Sequence, residues 1–145
     1  MKLNLGCGKI HKGGDYINAD IVEPADIIFD VTKGIPYKDE NFERVEADNL
    51  MEHLDADKFK FVMNEIFRVL KKGGEFWMRV PDAENWFAGA FGDPTHKRYF
   101  CVRTFNYLDR NHQTFKNYGG SYGFKGWQIK EVSTDKQFIS ATLIK

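Results

Sequence analysis

The chain has 145 residues, of which 42% are hydrophobic, and this length and composition favour one globular domain with a buried core and exclude an extensively disordered chain. The formal net charge is zero, which argues against a general nucleic-acid-binding protein, and the sequence shows neither a signal peptide nor a membrane span. Two cysteines, Cys7 and Cys101, are too few for a disulfide framework and have no metal-ligand spacing, so we expect a reducing, cytoplasmic environment and no metal site.

The first third of the chain predicts four short strands that end close to glycines or acidic residues. Gly6 and Gly8 follow the first strand, Asp20 closes the second, and Asp30 lies at the end of the third. In an open α/β sheet, ligands bind beyond the carboxyl ends of the strands, so we expect these residues to meet at one edge. The strands are predicted at residues 3–5, 16–20, 26–31 and 44–48.

A helix is predicted from residue 56 to residue 70, because apolar residues recur there every three or four positions. Asp55 is a suitable N-cap, and Gly73 is expected to take the left-handed conformation that ends the helix. A fifth strand at residues 74–80 follows. The apolar residues of the helical face are Phe59, Val62, Met63, Ile66, Phe67 and Leu70.

The last part of the chain predicts an antiparallel hairpin, with strands at residues 127–132 and 137–144 around a polar turn. Residues 83–126 are rich in aromatic residues and glycines, and we expect an irregular insertion there with one or two short helices. Basic residues outnumber acidic ones in this second half, whereas the first half has the opposite balance. We therefore expect the insertion to cover the site of an acceptor substrate.

Three interpretations of the glycine turn remain open at this point. A dinucleotide site is weakly supported, because the segment GCGKIH lacks the third glycine and only twelve positions separate Gly8 from Asp20. A ligand with a ribose and an amino acid fits better, with Asp20 accepting from the ribose hydroxyls and Asp30 accepting from an adenine amino group. The third interpretation is purely structural, since glycine turns and terminal aspartates are common in α/β proteins.

Together these segments resemble the class I S-adenosylmethionine-dependent methyltransferases, of the small type-11 kind. The resemblance covers about the first 100 residues. It implies a doubly wound, Rossmann-like α/β fold with a seven-stranded sheet, mostly parallel with an antiparallel C-terminal hairpin. The matching segments are LNLGCG (3–8), YINADI (16–21), DVTKGIPYKDENFERVEADNLMEHL (30–54), EIFRVLKKGGEFWMRVPD (65–82) and DPTHKRYF (93–100).

The resemblance also implies which residues bind S-adenosylmethionine. The turn at Gly6 and Gly8 is expected under the methionine part of the cofactor, and Asp20 is expected to bind the ribose. The end of the fourth strand is expected to face the methionine group and the reaction centre. The full set of expected cofactor-binding residues is Leu5, Gly6, Cys7, Gly8, Asp20, Ile21, Asp30, Val31, Asp48, Asn49 and Leu50.

The chain departs from this family's usual pattern in its helices. The first predicted strand starts at the beginning of the sequence, and the helices between strands one and two and between strands three and four are nearly absent. Asn4 also stands where an acidic residue is common. We therefore expect reduced helical cover of the sheet. Either a partner subunit, such as the second chain of a homodimer, covers the thin face, or cofactor binding is weak and open.

Two histidines are the candidate catalytic residues: His53, after the fourth strand, and His96, at the start of the insertion. Either could act as a base if the acceptor nucleophile carries a proton, although each could instead have a structural role. Asp82 is a further residue expected to contact substrate. The expected function is methyl transfer to a small-molecule or sugar-like acceptor, and the alternative is a non-catalytic cofactor-binding module or partner subunit.

Overall fold

The computed structural model describes all 145 residues and contains one seven-stranded sheet. The strand order is β3-β2-β1-β4-β5-β7-β6, and β7 is the one strand that runs opposite to the other six. The predicted α/β fold with a mostly parallel sheet and an antiparallel C-terminal hairpin is therefore confirmed. The strands are β1 (Lys2–Leu5), β2 (Tyr16–Asp20), β3 (Ile27–Ile28), β4 (Phe42–Asp48), β5 (Leu70–Pro81), β6 (Gln128–Thr134) and β7 (Phe138–Ile144).

The strand order reverses between β1 and β4, which lie side by side in the centre of the sheet. Chain connections leave β1 towards β2 and β3 on one side, and β4 continues towards β5 on the other. The connections that follow β1 and β4 therefore diverge at this point and leave a crevice at the carboxyl edge. This crevice is where the glycine turn after β1 lies.

The helix α1 (Ala56–Val69) covers one face of the sheet. Its N-cap is Asp55, as predicted, and the Asp55 carboxylate accepts a hydrogen bond of 2.9 Å from the Lys58 amide. The helix ends at Val69 with Leu70 as its C-cap, so Gly73 does not end it as predicted. Gly73 has the expected positive φ of 73° but lies within β5. The buried side chains of α1 are Phe59, Val62, Met63, Ile66 and Val69.

The two faces of the sheet have different chemistry, because successive residues of a strand point to opposite faces. One row across the sheet is apolar, and it belongs to the face that shares its core with α1. The next row is polar and has no helix over it. The apolar row is Ile17, Leu3, Val45, Phe76 and Leu143, and the polar row is Asn18, Asn4, Glu46, Trp77 and Thr142.

Side chains on the polar face bind one another. Glu46 is 7% exposed and accepts hydrogen bonds from Lys12, Arg44 and Tyr16, with 2.5 Å between the Tyr16 hydroxyl and Glu46 Oε1. Lys12 belongs to the connection between β1 and β2, and its ammonium group also lies 5.5 Å from the centre of the Trp77 ring. The reduced helical cover expected from the sequence is thus present, and an ionic network takes the place of an apolar layer.

The insertion at residues 83–126 contains the short helix α2 (Phe87–Phe91), a 3₁₀ helix at Val102–Tyr107 and a π-helical segment at Phe115–Gly119. Phe100 and Phe105 belong to the main hydrophobic core, so the insertion is anchored to the rest of the chain. No helix in the structure combines the length and the apolar composition that a membrane span requires.

Candidate functional site

The glycine turn after β1 has a backbone conformation that glycine adopts easily. Gly6 and Gly8 have φ angles of 67° and 51°. A Cβ atom at position 6 would lie 3.0 Å from Leu50 Cδ1, whereas a Cβ at position 8 would meet no atom within 4 Å. Space is therefore closed on the Gly6 side by Leu50 and open at Gly8, where a ligand can approach the backbone.

Asp20 connects the end of β2 to the glycine turn. Its Oδ2 accepts a hydrogen bond of 2.7 Å from the Gly8 amide, and its Oδ1 accepts one of 2.7 Å from the Ile21 amide. The carboxylate is thereby held at the carboxyl edge of the sheet. It provides a fixed acceptor beside the open space at Gly8.

Asp30 lies after β3 and caps the 3₁₀ helix that begins at Val31. Its Oδ1 accepts hydrogen bonds from the Thr32 hydroxyl at 2.7 Å and from the Thr32 amide at 2.9 Å. The Thr32 hydroxyl, then the Thr32 amide, lower the pKa of Asp30, and the nearby Lys33 adds to the effect. Asp30 is therefore an anionic residue whose orientation is fixed locally.

Gly6, Asp20 and Asp30 line a first cleft of about 300 Å³. It brings together eight of the residues that the sequence predicted for the cofactor, from four different strand ends. This cleft has the shape of a binding site at the point of strand reversal. The eight residues are Leu5, Gly6, Asp20, Ile21, Asp30, Val31, Asn49 and Leu50.

A second cleft, of about 230 Å³, adjoins the first and shares Gly6 and Asn49 with it. It contains the remaining predicted residues, Cys7, Gly8 and Asp48. Asp48 forms a two-point ion pair with Arg79 on the adjacent strand β5, with N–O distances of 2.7 and 3.0 Å. One carboxylate oxygen faces each guanidinium nitrogen in this pair, so Asp48 is held by β5 while it lines the cleft.

Cys7 is buried, with 5% of its surface exposed. Burial raises the pKa of its thiol, and the charge of Asp20 raises it further. The thiol is therefore protonated at neutral pH. Cys7 fits the tight turn as a small uncharged side chain and is not an activated nucleophile.

A third pocket, of about 270 Å³, contains both candidate catalytic histidines and meets the first two clefts at Asn49. The rings of His53 and His96 are in edge-to-face contact, with their centres 4.9 Å apart. His96 Nδ1 lies 2.7 Å from the Ala90 carbonyl oxygen, and His53 Nδ1 lies 3.1 Å from Thr95 Oγ1. The structure therefore joins two histidines that are far apart in the sequence.

Glu52 completes this pocket, and sequence reasoning gave it no role. Its side chain is 1% exposed, and Oε2 has no hydrogen-bond partner. Burial raises the pKa of its carboxyl to about 7, although its own backbone amide and the nearby His96 act in the opposite direction. The adjacent Glu52-His53 pair in the segment EHL is the one sequence signal that points to Glu52, and it does not indicate His96.

Asp82, expected to contact substrate, is instead a buried structural residue. It is 0% exposed, and Oδ2 accepts hydrogen bonds of 2.8 Å from Asn85 and 2.7 Å from the Thr134 hydroxyl. Asp82 thus joins the end of β5 to β6 and to the following turn, and it has no surface to offer a substrate.

The insertion forms an aromatic groove of about 430 Å³ against the start of α1. Tyr99, Tyr107 and Tyr122 line it and are at least 40% exposed. Arg98 lies over the Phe59 ring at 4.3 Å. Most other rings of the insertion pack against one another, so only part of the aromatic segment faces an open space.

Comparison with protein families matches residues 14–78 to a model described as a methyltransferase domain. Comparison with curated proteins finds no match.

Solved structures with the same fold cover 99% of this chain at low sequence identity. A S-adenosylmethionine-dependent methyltransferase from Archaeoglobus fulgidus has 17% identity and a TM-score of 0.67, with 85% of that chain covered. A 1,6-didemethyltoxoflavin N1-methyltransferase from Burkholderia thailandensis, solved with S-adenosylhomocysteine, has 12% identity, a TM-score of 0.70 and 70% coverage. A chain of a complex between the Haloferax volcanii Trm112 methyltransferase activator and a putative methyltransferase has 13% identity and a TM-score of 0.66, with 80% of that chain covered.

Proposed function

We propose that the chain is a class I S-adenosylmethionine-dependent methyltransferase, an enzyme that methylates a small-molecule or sugar-like acceptor; the match of residues 14–78 to a methyltransferase domain and the shared fold support this. The observation that carries the proposal is the first cleft, where the glycine turn and two carboxylates from neighbouring strand ends meet. S-adenosylmethionine is the cofactor of this family.

The residues of the two adjoining clefts fit this cofactor. Asp20 offers a fixed carboxylate for the ribose hydroxyls, and Asp30 and Val31 border the part of the cleft expected to take the adenine. The open space at Gly8 and the polar second cleft suit the methionine part, which carries both an ammonium and a carboxylate group. Lys12 and Asp48 in that cleft have the charges that complement these two groups.

The acceptor is proposed to bind in the third pocket, which contains His53 and His96 and joins the cofactor clefts at Asn49. When bound, S-adenosylmethionine supplies a methyl group on a sulfonium, and the acceptor's lone pair bonds to the methyl carbon while the C–S electron pair returns to sulfur. The chain's own contribution is to hold both molecules in line and to exclude water. His53 and His96 contact the acceptor, and either histidine is placed to accept a proton from an acceptor that carries one.

Isothermal titration with S-adenosylmethionine and with S-adenosylhomocysteine tests the cofactor site directly. We expect one binding site per chain for each compound. Absence of binding by the folded protein would contradict the proposal. Transfer of a radiolabelled methyl group from S-adenosylmethionine to small molecules in a cell extract then tests catalysis.

A second candidate is a non-catalytic cofactor-binding module or a subunit that works with a partner. Two observations favour it: one sheet face has no helical cover, and one of the similar structures is a complex that contains a methyltransferase activator. Cofactor binding without methyl transfer to any extract, with or without added partner fractions, would support this candidate over the enzyme.

A further inference from the structure

We propose that Glu52, His53 and His96 bind a divalent transition-metal ion in the third pocket. One ligand atom from each of these residues lies within 4.8 Å of the other two. The sequence gave no such expectation, because His96 is separated from the Glu-His pair by two helices and one strand. The fold brings the three residues together at the carboxyl edge of the sheet.

The hydrogen bond of His96 fixes its ring for metal binding. A carbonyl oxygen can only accept, so the contact of 2.7 Å between Nδ1 and the Ala90 oxygen puts the ring hydrogen on Nδ1. The lone pair of neutral His96 is then on Nε2. Histidines that bind metals commonly donate their other ring N–H to a backbone carbonyl in this way.

The same argument applies to His53 through a chain of hydrogen bonds. The Thr95 hydroxyl donates its only hydrogen to Asp93 Oδ1 at 2.6 Å, so its oxygen can only accept from His53 Nδ1 at 3.1 Å. The ring hydrogen of His53 is therefore also on Nδ1. Both histidines thus keep Nε2 as the lone-pair atom available to an ion.

Glu52 supplies the observation that points to a missing positive charge. Its carboxylate is almost completely buried in this pocket, and Oε2 receives no hydrogen bond from any group of the protein. A buried polar atom without a partner is costly, so such an atom is uncommon in a folded protein. Coordination to a cation beside the two imidazoles would satisfy it.

The chemistry of the three ligands indicates which kind of ion would bind. Two imidazoles and one carboxylate suit Zn²⁺ and other first-row transition ions better than Mg²⁺ or Ca²⁺, which prefer sites made of oxygen ligands. Ligand atoms about 2.0–2.2 Å from Zn²⁺ are roughly 3–3.5 Å apart, so the three side chains must close slightly on the ion. Asp93 Oδ2, 3.8 Å from His96 Nε2, adds a negative charge beside the site.

Three protein ligands would leave at least one coordination position open, and the pocket itself is open to solvent. This part of the inference rests on the proposed function, because the open position then lies on the acceptor side of the cofactor clefts. An acceptor with an oxygen donor would bind there, and the ion would lower the pKa of an acceptor hydroxyl. The histidines would then act as ligands of the ion and leave deprotonation to it.

Titration of the untagged full chain with Co²⁺ tests the site, because Co²⁺ bound to nitrogen and oxygen ligands has visible d–d absorption. We expect one Co²⁺ per chain and loss of the absorption when Zn²⁺ is added in competition. The variants His96→Ala and Glu52→Gln should each weaken Co²⁺ binding by about ten-fold or more. The matched control His112→Gln changes a histidine outside the pocket and should leave the titration unchanged.

Absence of a stoichiometric Co²⁺ absorption, or equal binding by the native chain and His96→Ala, would overturn the proposal. Circular dichroism checks that each variant is folded, and if Glu52→Gln is not, the half-buried His53→Gln decides in its place. Acetohydroxamate, an oxygen-donor probe, should shift the Co²⁺ bands, and unchanged bands would show that no coordination position is open. Co²⁺ binding without S-adenosylmethionine binding would contradict the proposed function and leave the metal site supported.

Discussion

Asp20 is the side chain on which the ribose assignment depends, and its substitution is the first prediction at the residue scale. Asp20→Ala removes the acceptor of the Gly8 and Ile21 amides, which is also the proposed acceptor of the ribose hydroxyls. Hydrogen bonds to a charged group contribute about 1.5–3 kcal/mol each, so we expect cofactor affinity to fall ten-fold or more, measured by isothermal titration. Glu23→Ala, which removes an exposed acid three positions away, is the control. Normal affinity in Asp20→Ala would show that the ribose binds elsewhere.

Gly6 allows a second prediction at this scale. An alanine at position 6 must adopt a positive φ and place its Cβ 3.0 Å from Leu50 Cδ1. We expect Gly6→Ala to lower the free energy of unfolding by about 1–3 kcal/mol and to weaken cofactor binding, because the turn and Leu50 both shift. Urea unfolding and titration with S-adenosylhomocysteine measure the two effects.

Gly13 provides the control for this prediction. It lies in the same connection between β1 and β2, and a Cβ there would meet no atom within 4 Å. Gly13→Ala should leave both quantities nearly unchanged. Equal effects of the two substitutions would mean that the Gly6 conformation has no special role in the site.

At the element scale, α1 joins the sheet to the insertion, and its two faces contain a matched pair of phenylalanines. Phe59 is 2% exposed and Phe61 is 41% exposed. We expect Phe59→Ala to lower the free energy of unfolding by about 3–5 kcal/mol, since it leaves a cavity between the helix and the insertion. Phe61→Ala should cost less than about 1 kcal/mol in the same urea experiment. Similar losses for both would contradict the assignment of the buried face.

The elements that were predictable from sequence are those specified by local patterns. The periodicity of α1, its Asp55 cap and the strand at residues 16–20 agree with the structure to within a residue. β3 is shorter than predicted and consists of Ile27 and Ile28 alone, because it lies at the sheet edge and pairs only with β2. β5 begins at Leu70, four residues before the predicted start, because α1 runs directly into it. The 3₁₀ and π-helical segments of the insertion depend on tertiary packing, and no local pattern predicts them.

The candidate site shows the same division. Residues that follow strands, such as Asp20 and Asp30, were predictable because parallel strands bring their carboxyl ends to one edge. The grouping of Glu52 with His96 was not predictable, since it depends on the path of the insertion back over the edge of the sheet. The structural role of Asp82 was also hidden, because its partner Thr134 is 52 positions away.

At the scale of the whole molecule, the polar face of the sheet explains why the fold does not need a second layer of helices there. Its central residues, Asn4, Asn18 and Glu46, are bound to neighbouring side chains, and the polar row contains no aliphatic residue. A face of this kind offers little apolar area for an interface. The homodimer across this face remains a prediction, and size-exclusion chromatography with light scattering tests it by measuring the molar mass in solution.

Acid stability is a prediction for the whole fold, because Asp82 joins β5, β6 and the insertion. Burial alone would raise the pKa of Asp82, but the hydrogen bonds from Asn85 and Thr134 and the amides of Glu84 and Asn85 outweigh burial and lower it. A lowered carboxyl pKa stabilises the fold above the unfolded-state value of about 3.9, and this stability is lost as pH falls through the folded-state value.

We therefore expect Asp82→Asn to be less stable than the native chain at pH 6 and the difference to shrink as pH falls below about 3.9. Urea unfolding of both proteins across this pH range measures it. A difference that stays constant with pH would show that the ionised carboxylate of Asp82 does not stabilise the fold.

Asn49, with its left-handed backbone and a φ of 51°, borders all three clefts. A cofactor in the first two clefts and an ion or acceptor in the third would both contact Asn49, so a shift of Asn49 caused by one ligand changes the site of the other. Thermodynamic linkage then requires reciprocity. If bound S-adenosylmethionine changes the affinity for an ion or acceptor by some factor, the bound ion or acceptor changes the affinity for S-adenosylmethionine by the same factor.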